Sequence, residues 1–289
     1  MHVLKRAVNA GSGLRCDVEA NSQRIGRAAI AALYNELALA PKPGLVSFVD
    51  AGSHGDMDAT TFMRSLFALR HYFRACARRG AEGVLFTELE ALGVAAEARM
   101  LRATAGVNTH RGAVFTLGLL CAAAGHLGAP ASCAELRARL ISGWGAALQA
   151  RRFSRASSNG THAVQRLGLR GAAEEAALGF PVLFEHAVPS LLRARQDGLD
   201  SRHARLQVLF ESMALLDDTN LAHRAGMAGL RYAQSQAKAF LLAGGALRPD
   251  AVAHAWRIHR AFVKRRLSPG GAADMLAAAL LAERVCRIE

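Results

Sequence analysis

The chain has 289 residues with only 7 prolines and no long Ser/Gly linker, which predicts one large domain rather than two fused halves. Its net charge of +13 is carried almost entirely by arginine, and the basic residues are scattered without interleaved aromatics, so small phosphorylated ligands are favoured over nucleic acid, although a GC-rich coding bias explains the arginines equally well. The cysteines show no CxxC spacing, and the longest uncharged run, Gly112 to Gly125, is shorter than the roughly 20 residues that cross a bilayer, so we expect reduced cytoplasmic thiols and no membrane contact.

The first predicted element is an amphipathic helix, because apolar residues recur at helical spacing from Ile25 to Leu37. Residues 1–22 before it are expected to be a poorly ordered extension, and residues 23–289 a single all-α domain. Further helices are predicted at about Thr61 to Arg79, Leu89 to Met100, His110 to Gly125, Leu136 to Leu148, Ala172 to Glu185, His203 to Asp217, Gly226 to Leu242, Pro249 to Arg265 and Gly271 to Cys286.

Few segments favour β-structure. Only Leu45 to Val49 and Val84 to Phe86 have a composition typical of strands. The fold class that we predict is therefore all-α, a single globular bundle of about ten helices. The helix after His110 is apolar on every side, which indicates a central buried position. The polar segment from Arg151 to Gly160 predicts a mobile basic loop.

Two pairs of residues predict where helices begin. Thr87 with Glu90, and Ser132 with Glu135, have the spacing of a capping box, in which each side chain satisfies a backbone N–H of the other residue.

Carboxylates in apolar helix faces form the first unusual pattern. Glu36 falls in the apolar stripe of the first helix, and Asp217 continues the stripe of Leu206, Leu209, Phe210 and Met213. With Asp218 and the loop residues Asp56 and Asp58, these groups are the oxygen ligands that Mg²⁺ prefers. Two alternatives stay open: Asp217 or Asp218 caps the next helix, and Glu36 pairs with an arginine.

Polar loops between the helices form the second pattern. The segments 41–46, 54–58 and 106–112 place Pro, Gly and charged groups together, where backbone and side chains come within reach of a ligand. Ser268, Pro269 and two glycines before an apolar helix are typical of an anion-binding helix start, in which Ser268 is the expected N-cap. His110 at its helix start is either a cap or a functional histidine.

Six motifs occur in the order found in triphosphoribosyl-dephospho-CoA synthases, which the sequence resembles from about Ala31 to Leu281. They are Pro41-Lys42-Pro43-Gly44-Leu45-Val46, Gly52-Ser53-His54-Gly55-Asp56-Met57, Gly106-Val107-Asn108-Thr109-His110-Arg111-Gly112, Gly179-Phe180-Pro181, Asp217-Asp218-Thr219-Asn220 and Ser268-Pro269-Gly270-Gly271-Ala272-Ala273-Asp274. The segment 174–181 is more similar to the malonate decarboxylase branch of that family than to the citrate lyase branch.

The resemblance implies a transferase that joins ATP to the 2′-hydroxyl of 3′-dephospho-CoA and releases adenine. It also implies that the product passes to a phosphoribosyl-dephospho-CoA transferase acting on an acyl carrier protein. A homodimer is compatible with the resemblance. An Mg²⁺-dependent N-glycosyl hydrolase of the ADP-ribose type is the alternative enzyme, and a non-catalytic helical scaffold for polyanions is the alternative outside enzymes.

The resemblance also suggests roles for residues of the motifs. Asp58 is the predicted general base toward the 2′-hydroxyl, and Asn108 is predicted to contact adenine or ribose. The predicted catalytic residues are Asp58, Asp56, His110 and Asn108. The predicted nucleotide-binding residues are Lys42, His54, Arg111, Thr109, Asn220, Ser268, Gly270 and Gly271. The predicted metal ligands are Glu36, Asp56, Asp217 and Asp218.

The sequence departs from the family pattern at a few positions. Arg111 stands where lysine is common, which keeps a cation, and Ala105 and Ser47 replace a usual Gly and a frequent Asp. Ala173 lies where an arginine often appears, so one phosphate contact is in doubt, and Arg170 is close enough in sequence to compensate.

Overall fold

The computed structural model describes residues 2–128, 131–152 and 168–287. Its α-helices are α1 (His2–Leu37), α2 (Ala59–Leu69), α3 (Tyr72–Ala81), α4 (Phe86–Ala103), α5 (Arg111–Leu127), α6 (Cys133–Arg152), α7 (Ala172–Ala177), α8 (Val188–Gln196), α9 (Ser201–Leu215), α10 (Thr219–Leu242), α11 (Ala251–Arg265) and α12 (Gly270–Val285). A π-helical segment, Val182–Ala187, precedes α8, and a 3₁₀ turn, Gly245–Leu247, precedes α11. The all-α fold class is confirmed.

Helix α5 lies at the centre of the molecule, as its uncharged sequence predicts, and most of its residues are buried. It crosses α3 at backbone contact. A Cβ on Gly80 would lie 1.9 Å from the carbonyl oxygen of Ala122, and one on Gly125 would lie 1.9 Å from that of Ala77. Because no larger residue fits at either position, the two glycines set the close approach of α3 and α5.

Helix α12 is the second element that is apolar on almost every side, and it packs against both α1 and α5. The C-terminal end of α1 and the N-terminal ends of α5 and α12 therefore lie near one another. The loops that follow or precede these ends carry the polar motifs. This arrangement brings together segments that are more than 200 residues apart, as shown by the hydrogen bond from Ser53 Oγ to the carbonyl oxygen of Leu267 at 2.6 Å.

The predicted single helix from Thr61 to Arg79 is wrong, because the chain turns at Arg70 and His71 between α2 and α3. No proline or glycine marks this turn. It allows α2 to bury Leu66 and Leu69 and α3 to bury Phe73 and Cys76, each on its own inner face. Burial of two separate faces thus overrides the continuous helical pattern.

The predicted helix from Ala172 to Glu185 is interrupted as well. Gly179 and Phe180 both adopt positive φ, at 71° and 50°, which ends α7 before the π-helical segment. Within α10, Gly226 has φ 66° and ψ −175°, so two helical pieces meet there. The predicted helix start at Gly226 is the second of these pieces.

The Ser132–Glu135 capping box is confirmed, since Ser132 N donates to Glu135 Oε2 at 2.8 Å and Glu135 N donates to Ser132 Oγ at 3.2 Å. The box predicted at Thr87 is wrong. Helix α4 begins one residue earlier, at Phe86, and its N-cap is Leu85, which makes no side-chain cap.

Neither segment singled out for strand composition, 45–49 or 84–86, forms a strand. Within the described residues, the sheet consists of β1 (Ala131–Ser132) paired in parallel with β2 (Cys286–Arg287). Of the basic segment Arg151 to Gly160, the first two residues end α6 and the others lie outside the described residues.

Helix α1 already begins at His2, and the division into residues 1–22 and 23–289 stays a prediction. None of the helices in the described ranges has the length and apolar character needed to cross a membrane.

Candidate active site

A buried ion pair lies at the centre of the candidate site. Glu36, in the last turn of α1, pairs with the ammonium of Lys42, and both residues are almost fully excluded from solvent. Burial raises the pKa of Glu36 and lowers that of Lys42, while their mutual attraction opposes both shifts. The partner of Glu36 is thus a lysine from the first polar loop rather than the arginine considered as an alternative.

The loop that carries Lys42 is fixed to the middle of α11. His259 Nδ1 donates to the carbonyl oxygen of Lys42 at 2.8 Å, and its Nε2 lies 3.2 Å from Asp50 Oδ2. Gly44 adopts φ +67°, and a Cβ there would lie 1.9 Å from the carbonyl oxygen of Leu267. Only glycine allows this approach, which holds the loop beside the segment that leads into α12.

A cluster of donor groups lies next to this loop. His54 Nε2 is 2.8 Å from Ser268 Oγ, and Arg224 Nη1 is 3.4 Å from His54 Nδ1. Burial and the Arg224 guanidinium lower the pKa of His54, although Asp56 opposes them, so the imidazole favours its neutral form. The Ser268 hydroxyl therefore faces His54. The prediction that Ser268 is the N-cap of α12 is wrong, because Pro269 occupies that position.

Arg224 was not among the sequence-predicted residues. It is exposed and lies on the first piece of α10, residues 219–225, just before the break at Gly226. The amide nitrogen of Asn220, from the same piece, lies 3.5 Å from the place where a Cβ of Gly270 would stand. Arg224 could have been identified from the sequence, because it stands two residues before Gly226, a residue type that often interrupts a helix.

His110 is buried at the start of α5, with Nδ1 2.7 Å from Ser65 Oγ and its ring 4.8 Å from that of Phe62. Burial, and secondarily the charge of Lys42, lower the pKa of His110 to about 3, so the imidazole is neutral. Among the described residues, Nε2 of His110 and Oγ1 of Thr109 are buried without a hydrogen-bond partner. Both atoms are therefore free to form a hydrogen bond with a ligand.

Asn108 and Arg111 lie at the exposed edge of the same loop. Asn108 Oδ1 accepts from the Arg111 amide at 3.2 Å, and Arg111 Nε lies 3.0 Å from Glu97 Oε2. The cation of Arg111 is therefore partly matched by Glu97 in the ligand-free protein.

Asp218 caps α10, as one of the two alternatives predicted, with Oδ1 accepting from Leu221 N at 3.0 Å. Its other oxygen accepts from Gly271 N at 2.7 Å, and Gly270 N donates to Ser268 O at 3.0 Å. The amides predicted to bind phosphate thus have acceptors within the protein. Burial raises the pKa of Asp218, and these hydrogen bonds oppose the shift.

Of the remaining predicted carboxylates, Asp56 borders the site, with Oδ1 3.7 Å from His54 Nδ1, whereas Asp217 and Asp58 have other partners. Asp217 Oδ2 accepts from Arg170 N at 3.1 Å, and Asp56 is largely exposed. Asp58 is exposed and caps α2, and the hydrogen bonds from Thr61 hold the pKa of Asp58 below its usual range. Across the described ranges, no group of three or more His, Cys, Asp and Glu side chains has the geometry to hold a metal ion. The four predicted metal ligands therefore do not converge.

Arg170, considered as a replacement for the arginine missing at Ala173, pairs instead with Glu175. Its Nε lies 2.8 Å from Glu175 Oε2, and the other oxygen of Glu175 accepts from Val182 N at 2.8 Å. Glu175 thus joins α7 to the π-helical segment, and Arg170 pairs with the charge of this carboxylate.

Asp274 was not assigned a role from the sequence, although it is the only charged residue in the α12 run from Gly270 to Ala282. Its carboxylate lies against Gly112 of α5, where a Cβ would stand 2.0 Å from Asp274 Oδ2. Burial, and then the charges of Glu36 and Asp218, raise the pKa of Asp274 well above its usual range. A lone carboxylate in an apolar helix was the signal that could have identified it.

Comparison with known proteins adds one match. A family model described as ATP:dephospho-CoA triphosphoribosyl transferase (CitG) matches residues 22–289, nearly the whole chain. No solved structure matches the chain.

Proposed function

The chain belongs to the CitG family of ATP:dephospho-CoA triphosphoribosyl transferases, and on that premise we propose that it makes the prosthetic-group precursor of malonate decarboxylase. The family establishes a transferase with ATP and dephospho-CoA as substrates. The assignment to malonate decarboxylase rather than citrate lyase is our proposal, supported by the sequence of segment 174–181.

The reaction moves a ribosyl group. The 2′-oxygen of dephospho-CoA forms a bond to C1′ of ATP while the bond from C1′ to N9 of adenine breaks. The hydroxyl loses one proton and adenine gains one, so no redox partner is needed. A site for this reaction needs groups that bind phosphates, groups that tolerate positive charge on the ribose, and a route for the proton.

The observation that supports a transferase site at this place is the contact between motifs that are distant in the chain. Hydrogen bonds join His54 to Ser268, the Asp218 carboxylate to the backbone amide of Gly271, and the Ser53 hydroxyl to the carbonyl oxygen of Leu267. We propose that His54, Ser268 and the side-chain amide of Asn220 face the phosphates of the two substrates, with Arg111 and Thr109 at the edge. Lys42 would reach a phosphate only if its buried ion pair with Glu36 opened. Gly270 and Gly271 would contribute only if a phosphate displaced their present acceptors.

The catalytic assignments are likewise proposals. Neutral His110, with its orphaned Nε2, is suited to a hydrogen bond with the nucleotide, and Asn108 is placed at the exposed edge beside it. Asp58 as general base stays a prediction, and its lowered pKa makes it a weaker base than an unperturbed carboxylate.

Mg²⁺ stays a predicted cofactor. Because Glu36, Asp56, Asp217 and Asp218 do not converge, we assign no step to the metal. Adenine release measured with Mg²⁺ and with excess chelator tests the requirement directly.

The reaction class is tested by incubating the pure protein with ATP, Mg²⁺ and 3′-dephospho-CoA and measuring free adenine. We expect adenine release that requires both substrates, without ADP or phosphate. CoA should be a poor acceptor because its 3′-phosphate adds bulk and charge beside the reacting hydroxyl. Release of adenine without dephospho-CoA would identify the N-glycosyl hydrolase alternative, and ADP as the main product would contradict both.

The biological assignment needs a second assay. We propose that the protein works in the cytoplasm and that its product is consumed by a phosphoribosyl-dephospho-CoA transferase acting on an acyl carrier protein. Reconstitution with the carrier proteins of malonate decarboxylase and citrate lyase decides the branch. Light scattering of the pure protein tests the proposed homodimer.

A further inference from the structure

Asp274 lies at the point where α1, α5 and α12 meet. Its carboxylate touches Gly112, in the first turn of α5, so closely that any larger residue would displace it. Two residues before Gly112 stands His110, whose buried Nε2 has no partner among the described residues. The carboxyl group of Asp274 and Nε2 of His110, neither of which has a hydrogen-bond partner among the described residues, thus both lie near the N-terminal end of α5.

The acid itself has no hydrogen bond or ion pair to any residue in the part of the chain that the structure describes. The two carboxylates whose charges reach it are both matched, Glu36 by Lys42 and Asp218 by backbone amides. Asp274 lies deep in the protein, yet part of its side chain remains accessible to water, unlike Ala273 and Met275 beside it. Asp274 is therefore not sealed from solvent on every side.

The surroundings of Asp274 favour its neutral acid form. Burial disfavours the carboxylate, and Glu36 on α1 and Asp218 before α10 add negative charge. Burial is the larger cause, because the charge of Glu36 is partly offset by its partner Lys42, and the neutral imidazole of His110 adds no positive charge. A carboxylic acid held neutral inside a site can donate a proton.

We propose that Asp274 is the general acid of the transfer reaction, which protonates adenine as it leaves. The carboxyl proton goes to a ring nitrogen of adenine while the electron pair of the bond from C1′ to N9 moves onto the base. The 2′-oxygen of dephospho-CoA then completes its bond to C1′, and the proton that this hydroxyl loses restores the acid. This inference rests on the proposed function, and it adds the residue that activates the leaving group.

The test compares Asp274→Asn and Asp274→Ala with the wild type on ATP and on two ATP analogues whose bases leave more easily, N7-methyl-ATP and 8-aza-ATP. Adenine release from ATP should fall about 10²- to 10⁴-fold, the usual contribution of general acid catalysis. The loss should be at least tenfold smaller with N7-methyl-ATP, because 7-methyladenine leaves as a neutral base without a proton. ATP should raise the melting temperature of both Asp274 variants as much as that of the wild type, since Asp274 is not needed for binding. Asp197→Asn, on an exposed helix end, is the matched control and should behave as the wild type.

Three results would overturn the inference. One is an Asp274→Asn rate within tenfold of the wild type, another an equal loss on every nucleotide, and the third a lost rate that excess Mg²⁺ restores, as expected of a cation ligand. Failure of the wild type itself to release adenine would instead contradict the proposed function, so the two failures are distinguishable.

Discussion

The ammonium of Lys42 and the carboxylate of Glu36 form an ion pair from which solvent is almost completely excluded. The pair joins the end of α1 to the loop that begins the site, and His259 holds the same loop through the carbonyl oxygen of Lys42. The ion pair therefore contributes to the position of the loop, and removal of either partner leaves a buried charge without a counter-charge.

Lys42→Met is expected to lower the free energy of unfolding by about 3 to 5 kcal/mol, because Glu36 stays buried without its partner. The double variant Lys42→Met/Glu36→Gln should recover much of that loss. Urea unfolding measures both. Arg248→Ala, which removes a partly exposed ion pair with Asp250, is the control and should cost no more than about 1 kcal/mol. Equal costs for Lys42→Met and Arg248→Ala would contradict the buried pair.

Acidification should destabilise the protein through His110. The pKa of His110 is about 3 in the folded chain, against about 6.5 when unfolded, so the unfolded state binds more protons between these values. The free energy of unfolding should therefore fall by about 1.4 kcal/mol for each pH unit below about 6.5, and the effect should vanish above it.

The control for His110 is a comparison of slopes. Urea unfolding at pH 7.5, 6 and 5 should show a shallower slope for His110→Gln than for the wild type. His223→Gln, at an exposed position on α10, should keep the wild-type slope. A wild-type slope in His110→Gln would show that other groups carry the acid sensitivity.

Gly112→Ala should impair adenine release without unfolding the protein. The new methyl group would stand 2.0 Å from Asp274 Oδ2, so that carboxyl group must move, whereas alanine itself favours the helix. We expect a loss of at least tenfold in kcat and a melting temperature within a few degrees of the wild type. Gly93→Ala, where the nearest atom, the Tyr72 hydroxyl, is 3.6 Å away, should leave both quantities unchanged or raise the melting temperature slightly.

Asp217→Asn tests the predicted metal role of that residue. The amide oxygen of asparagine can still accept from Arg170 N, so the structural cost should stay below about 1.5 kcal/mol. If Asp217 binds Mg²⁺, the variant should lose adenine release and the shift in melting temperature that Mg²⁺-ATP produces. A variant that keeps both would refute the metal role.

The sequence predicts best those elements whose environment is uniform. Helix α5 has an uncharged sequence over 112–125, and burial on every side follows from that alone. The turn at Arg70 and His71 carries no breaking residue, so it depends on contacts that the local pattern does not contain.

The candidate site divides in the same way. That Glu36 needs a partner follows from its place in an apolar stripe, but the identity of Lys42 as the partner depends on how the loop after Pro41 folds back. Asp218 and Gly271 are 53 residues apart, and their hydrogen bond depends on how α10 and α12 pack, which the local sequence does not determine. The metal role of Asp217 stays a prediction, and the hydrogen bond that its carboxylate accepts from Arg170 N depends on a contact 47 residues away in the chain, which the local sequence does not contain.

The tight crossing of α3 and α5 has a consequence for protein engineering. Gly125 lies at the far end of α5 from His110, about 20 Å away at the rise of an α-helix. An added methyl group at Gly80 or Gly125 would have to push the two helices apart, and α5 would transmit that shift to the residues at its other end. In a screen for altered nucleotide preference, such a variant would score as a damaged active site although it touches no substrate. Mutant libraries for this enzyme should therefore leave both glycines fixed and place their diversity at the exposed positions of the first piece of α10, such as His223 and Arg224.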